Sequence, residues 1–152
     1  MIKNKKSYYK LAIIFFFLLL GITGCAPRGK FVLDGYSDCE EYFGEGFREY
    51  TDYCKYYYTE KEDTLFKNSA DYTQVTIDEQ VQKLITYFEK HRYAMSQNED
   101  QYDFNASAVN TGDYYCLIDE SKDGLSMGKY SNYTLYYYDV ETHTLYYIHC
   151  NF

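Results

Sequence analysis

Two stretches of the sequence carry residue types that could form a chemical site. Gly124-Leu125-Ser126-Met127-Gly128 has the G-x-S-x-G spacing, in which small neighbours let a serine stand on a sharp turn, and Asp139, His143 and His149 follow it in the chain. With a histidine taking the Ser126 proton and Asp139 orienting that histidine, the chemistry would be acyl transfer through a serine nucleophile. Overlapping this stretch, Asp119-Glu120-Ser121-Lys122-Asp123-Gly124 sets Asp119, Ser121 and Asp123 at alternate positions before a glycine turn, like the first half of a calcium loop. Position 12 of such a loop is Tyr130, not a bidentate glutamate. Both patterns lie between runs that read as antiparallel strands, and no helical pattern follows Ser126. The plainer reading of both is a small-residue polar loop.

Cys39, Cys54, Cys116 and Cys150 form an even set with three pairings open, and free thiols are the alternative. A Cys39 to Cys54 bridge would need a break at Gly44 or Gly46, because on one unbroken helix the two Cα atoms stand roughly 22 Å apart. There is no C-x-x-C or H-x-x-x-H pair, and His149 and Cys150 point to opposite faces of a strand, so no metal or other cofactor is expected. His91 falls in the last turn of a predicted helix, where a positive charge suits the helix dipole. His143 sits in a turn position that favours positive φ.

The N-terminus has a different character. Residues 1–10 hold four lysines and no acid, Leu11 to Ile22 is a 12-residue apolar run, and small residues precede Cys25. The run is shorter than the roughly 18 residues a membrane-spanning helix needs, and its flanks are those of a secretory signal peptide. Ile22-Thr23-Gly24-Cys25 resembles the lipobox of bacterial lipoproteins. That resemblance implies removal of residues 1–24, diacylglycerol on Cys25 as the new N-terminus, and lasting attachment to the membrane through more than one lipid chain. Residues 25–34 then form a short tether, and the domain works close to the membrane on its extracytoplasmic side. The domain resembles, in general style only, small uncharacterised lipoproteins of Gram-positive anaerobes, a resemblance with no activity attached.

Without residues 1–24 the chain has 11 basic and 23 acidic side chains, a net charge of −12, which disfavours nucleic acid and anionic lipid as partners of the domain. Leu, Ile, Val and Phe then make up only 23 of 128 residues, too few for a core by themselves. The same stretch holds 20 tyrosines, so its apolar mass is largely tyrosine.

Ser37-Asp38-Cys39-Glu40 has capping-box spacing, and Cys39, Phe43, Phe47, Tyr50, Cys54 and Tyr57 recur at steps of three and four. These predict a first helix from about Asp38 to Tyr58. Residues 59–76 read as a loop. Thr76-Ile77-Asp78-Glu79 opens a second helix, Ile77 to about His91, with Val81, Leu84, Ile85 and Phe88 on one face. Strands follow at Tyr102 to Val109, Tyr114 to Asp119, Tyr133 to Asp139 and Thr144 to Cys150. In the last hairpin, Asp139 pairs with Thr144, Tyr137 with Tyr146, Leu135 with Ile148 and Tyr133 with Cys150. The fold expected for residues 35–152 is a single α+β domain, two N-terminal helices packed on a three- to four-stranded antiparallel sheet. The expected function is non-catalytic binding, with Tyr136, Tyr138, Tyr147 and His149 on the second hairpin face as a contact surface for a protein or carbohydrate partner. A small serine hydrolase through Ser126 and a structural envelope lipoprotein are the alternatives.

Overall fold

The structure, a computed structural model, describes residues 27–44, 50–95, 102–121 and 130–151. Six strands form one antiparallel sheet: β1 (Asp38–Gly44), β2 (Tyr50–Tyr57), β3 (Thr73–Gln74), β4 (Tyr114–Asp119), β5 (Asn132–Asp139) and β6 (Thr144–Asn151), in the order β1-β2-β6-β5-β4-β3. Among the described residues two helices accompany it, α1 (Asp63–Asn68) and α2 (Asp78–Ala94). The domain is mostly β, which corrects the expectation of two N-terminal helices on a three- to four-stranded sheet.

The first predicted helix is the hairpin of β1 and β2, in register Asp38 with Tyr57 through Gly44 with Thr51. The physical reason is that both faces of β2 are covered. Thr51, Tyr53 and Lys55 are buried on one side and Asp52, Cys54 and Tyr56 on the other, so no apolar and polar alternation marks the strand. Tyrosines spaced every few residues then mimic a helical stripe. The Ser37 to Glu40 pattern caps no helix; the Ser37 hydroxyl donates to the Tyr57 carbonyl at 3.1 Å. Residues 59–76 are also more ordered than a loop, containing a 3-10 turn at Glu60–Glu62, then α1 and β3. The predicted strand at Tyr102 to Val109 is extended chain with a 3-10 turn at Ala106–Ala108, and makes no ladder.

Helix α2 starts one residue later than the capping pattern suggested. The Gln80 side-chain oxygen accepts from the Thr76 and Ile77 amides at 2.8 and 3.3 Å, so Gln80 and not Glu79 closes the first turn. The last hairpin has the expected register, Asp139 with Thr144 and Tyr133 with Cys150. Its turn holds His143 at φ 53°.

Strand alternation divides the core in two. Helix α2 and residues 102–109 cover one face, where Leu84, Tyr87, Phe88 and Phe104 pack on Tyr53, Tyr137 and Ile148. Residues 31–36, Tyr58, Tyr72 and α1 cover the other, where Phe66 packs on Tyr138, Tyr136, Leu145 and Tyr147. Phe66 and Tyr138 stack with centroids 3.6 Å apart, as do Phe88 and Phe104 on the first face. Among the described residues at least ten phenol hydroxyls find an acceptor in these layers, six of them on a carboxylate. A chain rich in both tyrosine and acid therefore uses one to satisfy the other.

Candidate binding cleft

The tyrosines expected to form a contact surface are core. Tyr136, Tyr138 and Tyr147 are 2%, 0% and 6% exposed, covered by residues 31–36 and α1. His149 is half-buried beside Thr134, its Nδ1 2.8 Å from the Thr134 hydroxyl, and burial pushes its pKa down. The hairpin alternation that placed these residues on one face carried no information about what covers that face.

The hydrolase residues do not assemble among the described positions. Ser126 and the rest of Gly124 to Gly128 lie outside them. The Asp139 carboxylate caps its own turn, accepting from the Glu141 and Thr142 amides and the Thr142 hydroxyl. His143 meets Asp63 at 3.0 Å, and Asp63 also accepts from Tyr138. Of the calcium pattern, Asp123 lies outside the described residues, while Asp119 accepts from the Tyr87 hydroxyl and from the Ser121 amide. Among the described residues no group of three or more His, Cys, Asp or Glu is placed to hold a metal ion. Cys25 is outside them too. Cys54, Cys116 and Cys150 are free thiols, so none of the three pairings within the set of four forms.

His91 also departs from expectation. It is fully buried in the α2 face, neither ring nitrogen has a hydrogen-bond partner, and burial pushes its pKa down to about 3. A neutral ring in the core cannot complement the helix dipole.

Polar chemistry concentrates instead at the end of the α2 layer. Lys55 is 7% exposed on β2, and its Nζ reaches Glu40 at 2.6 Å and Asp103 at 2.8 Å. Tyr42 and Tyr57 donate to Glu40 at 2.8 and 2.7 Å, and Tyr53 donates to Asp103 at 2.7 Å. The hydrogen bonds from Lys55, Tyr57 and Tyr42 hold the Glu40 carboxyl at about 2. Burial opposes the Lys55 charge, but its two carboxylates outweigh burial and raise its pKa. Lys55 is therefore a fixed ammonium that locks two anions, not a base or a nucleophile.

Asp103 connects this cluster to a cleft of about 330 Å³ lined by Arg92, Tyr102, Asp103, Phe104 and Asn105. Arg92, near the end of α2, donates from Nη2 to the Phe104 carbonyl at 3.0 Å, and its guanidinium carbon lies 5.9 Å from the centroid of the Tyr102 ring. The cleft thus offers a cation, an anion and an amide over an aromatic base. Sequence reasoning missed these residues because none belongs to a spacing motif. One usable signal was present: Lys55 is the only base in the tyrosine-rich run Tyr50–Tyr57. A lysine in a strand buried on both sides needs acidic partners.

Compared with known proteins, the chain matches no protein-family model, no curated protein sequence and no solved structure.

Proposed function

We propose that the protein is a bacterial lipoprotein, anchored through lipid on Cys25 and facing outside the cytoplasm, whose domain is a non-catalytic binding module. The observation that carries the anchor is Ile22-Thr23-Gly24-Cys25 behind a lysine-rich start and a 12-residue apolar run. Lysine locked between carboxylates, histidines held by structural partners or by burial, and a small cleft with fixed charges support binding over catalysis. The net charge of −12 expected after cleavage supports a partner other than nucleic acid.

Expression of the full chain in bacteria fed an alkyne fatty acid tests the anchor. Label on the wild-type protein in the membrane fraction, lost in Cys25→Ser, is the expected result. An unlabelled protein released to the medium overturns it. So does a non-reduced mass analysis that finds the Cys25 sulfur in a disulfide, because a sulfur alkylated by diacylglycerol cannot form one.

A further inference from the structure

The structure assigns a ligand class to the cleft beside the lysine cluster: we propose that it binds a free α-amino acid, with the ligand carboxylate on Arg92 and the ligand ammonium on Asp103. This rests on reading the domain as a binding module.

Arg92 and Asp103 line the same cleft, yet they form no ion pair with each other. Opposite charges lining one cleft would gain by pairing if nothing else were to occupy the space between them. Each is instead fixed from behind. Arg92 is tied by one nitrogen to the Phe104 carbonyl, which leaves its remaining donors for the cleft. Asp103 is held from below by Tyr53 on one oxygen and Lys55 on the other, and each oxygen keeps a second lone pair. Glu40, Lys55, Asp103 and Arg92 sum to zero charge, so the site as a whole favours neither an anion nor a cation. Its two ends do.

A zwitterion is the small ligand that satisfies both ends. A dianion meets repulsion at Asp103 and a dication meets it at Arg92. A neutral sugar displaces water from both charges without returning a counter-charge. The volume of about 330 Å³ stands at the lower limit of ligand pockets, roughly 300–1,000 Å³, which suits a ligand the size of one residue. The exposed edge of Tyr102 gives the cleft a small apolar contact for its side chain.

Calorimetric titration of the full-length protein in detergent micelles with each of the twenty common amino acids tests the proposal. The matching α-carboxamides and N-acetyl derivatives serve as paired probes. At least one amino acid should bind, and removing the charge at either end should weaken it about tenfold or more. Arg92→Gln, a substitution on an exposed helix position, should produce a similar loss, whereas Lys90→Gln should leave binding unchanged. The idea is overturned if no amino acid binds, if the capped derivatives bind as tightly, or if Arg92→Gln has no effect. None of those outcomes touches the fatty-acid labelling of Cys25, so failure of the ligand and failure of the anchor are read separately.

Discussion

The two faces of the sheet are both built from tyrosine, but they are covered in different ways. On one face the covering chain is the 17-residue helix α2, and three phenols of that layer reach for carboxylates, Tyr53 for Asp103, Tyr137 for Asp113 and Tyr87 of the helix itself for Asp119, while Tyr102 and Tyr133 donate to helix carbonyls. On the opposite face the cover is irregular chain with only the short α1, and its carbonyls have no ladder to join. There Tyr58 donates to the Leu33 carbonyl at 2.6 Å and Tyr72 to the Phe31 carbonyl at 2.7 Å, while the Tyr56 hydroxyl accepts from the Arg28 amide at 2.8 Å. One residue type thus does two jobs. Beneath a helix it neutralises the burial cost of acids, and beneath a loop it replaces missing secondary structure.

Several substitutions sharpen this contrast. Phe88→Ala and Phe66→Ala remove equivalent stacked rings from the two faces, and each should lower stability by about 3–5 kcal/mol in urea melts. Only the Phe66 variant should expose residues 27–36 to protease below its unfolding midpoint, because among the described residues that strap is held by bonds to tyrosine side chains and not by a ladder. Gly29 is the tightest point of the strap. It has φ 83°, and a Cβ there would overlap the Tyr136 hydroxyl. Gly29→Ala should cost about 1–3 kcal/mol, with the loss again appearing as strap opening in hydrogen exchange.

Single phenols separate the two jobs more finely. Tyr137→Phe takes a donor from the buried Asp113 carboxylate and should cost about 1.5–3 kcal/mol; Tyr72→Phe takes one from a carbonyl and should cost about 0.5–1.5 kcal/mol. Equal costs would show that the carboxylate pairing has no special weight. The smallest effect is a gain. His91→Leu replaces two unpartnered nitrogens in the core and should stabilise by about 1 kcal/mol at pH 7. The His91 pKa falls from 6.5 to about 3 on folding, so its neutral form is fully compatible with the fold above pH 6.5, and stability is lost as the pH falls below that value. The leucine variant should show a shallower slope between pH 6.5 and 4.5, the remainder coming from His149, whose pKa burial also lowers, before carboxylates such as Glu40, lowered from 4.5 to about 2, take over.

The parts of the fold legible in the sequence were those set by short-range geometry. A four-residue turn with a positive-φ position at His143 fixes the β5 and β6 register, and a run of aliphatic residues at helical spacing marks α2. The β1 and β2 hairpin was hidden because a strand covered on both sides shows no alternation, and tyrosine is compatible with either period. Helix α1 was hidden because Phe66 is its single buried anchor. The cleft was hidden for another reason: Arg92 comes from a helix end and Asp103 from extended chain, and only the packing of residues 102–105 against α2 brings them together. The tyrosine face chosen from alternation was the right set of neighbours with the wrong environment.

The central claim is that the tyrosines are the core on both faces and that their hydroxyls are engaged. Folding raises the pKa of Tyr53, Tyr72, Tyr102, Tyr133 and Tyr137, in each case first through burial, so the stability they contribute is present below pH 10 and is lost as the pH rises above it. Spectrophotometric titration at alkaline pH, followed together with circular dichroism on the same sample, tests this most directly. Most of the phenolate absorbance should appear in one steep step that coincides with loss of the β signal, above pH 10. A gradual rise centred near pH 10 in a protein whose β signal stays intact would contradict the account.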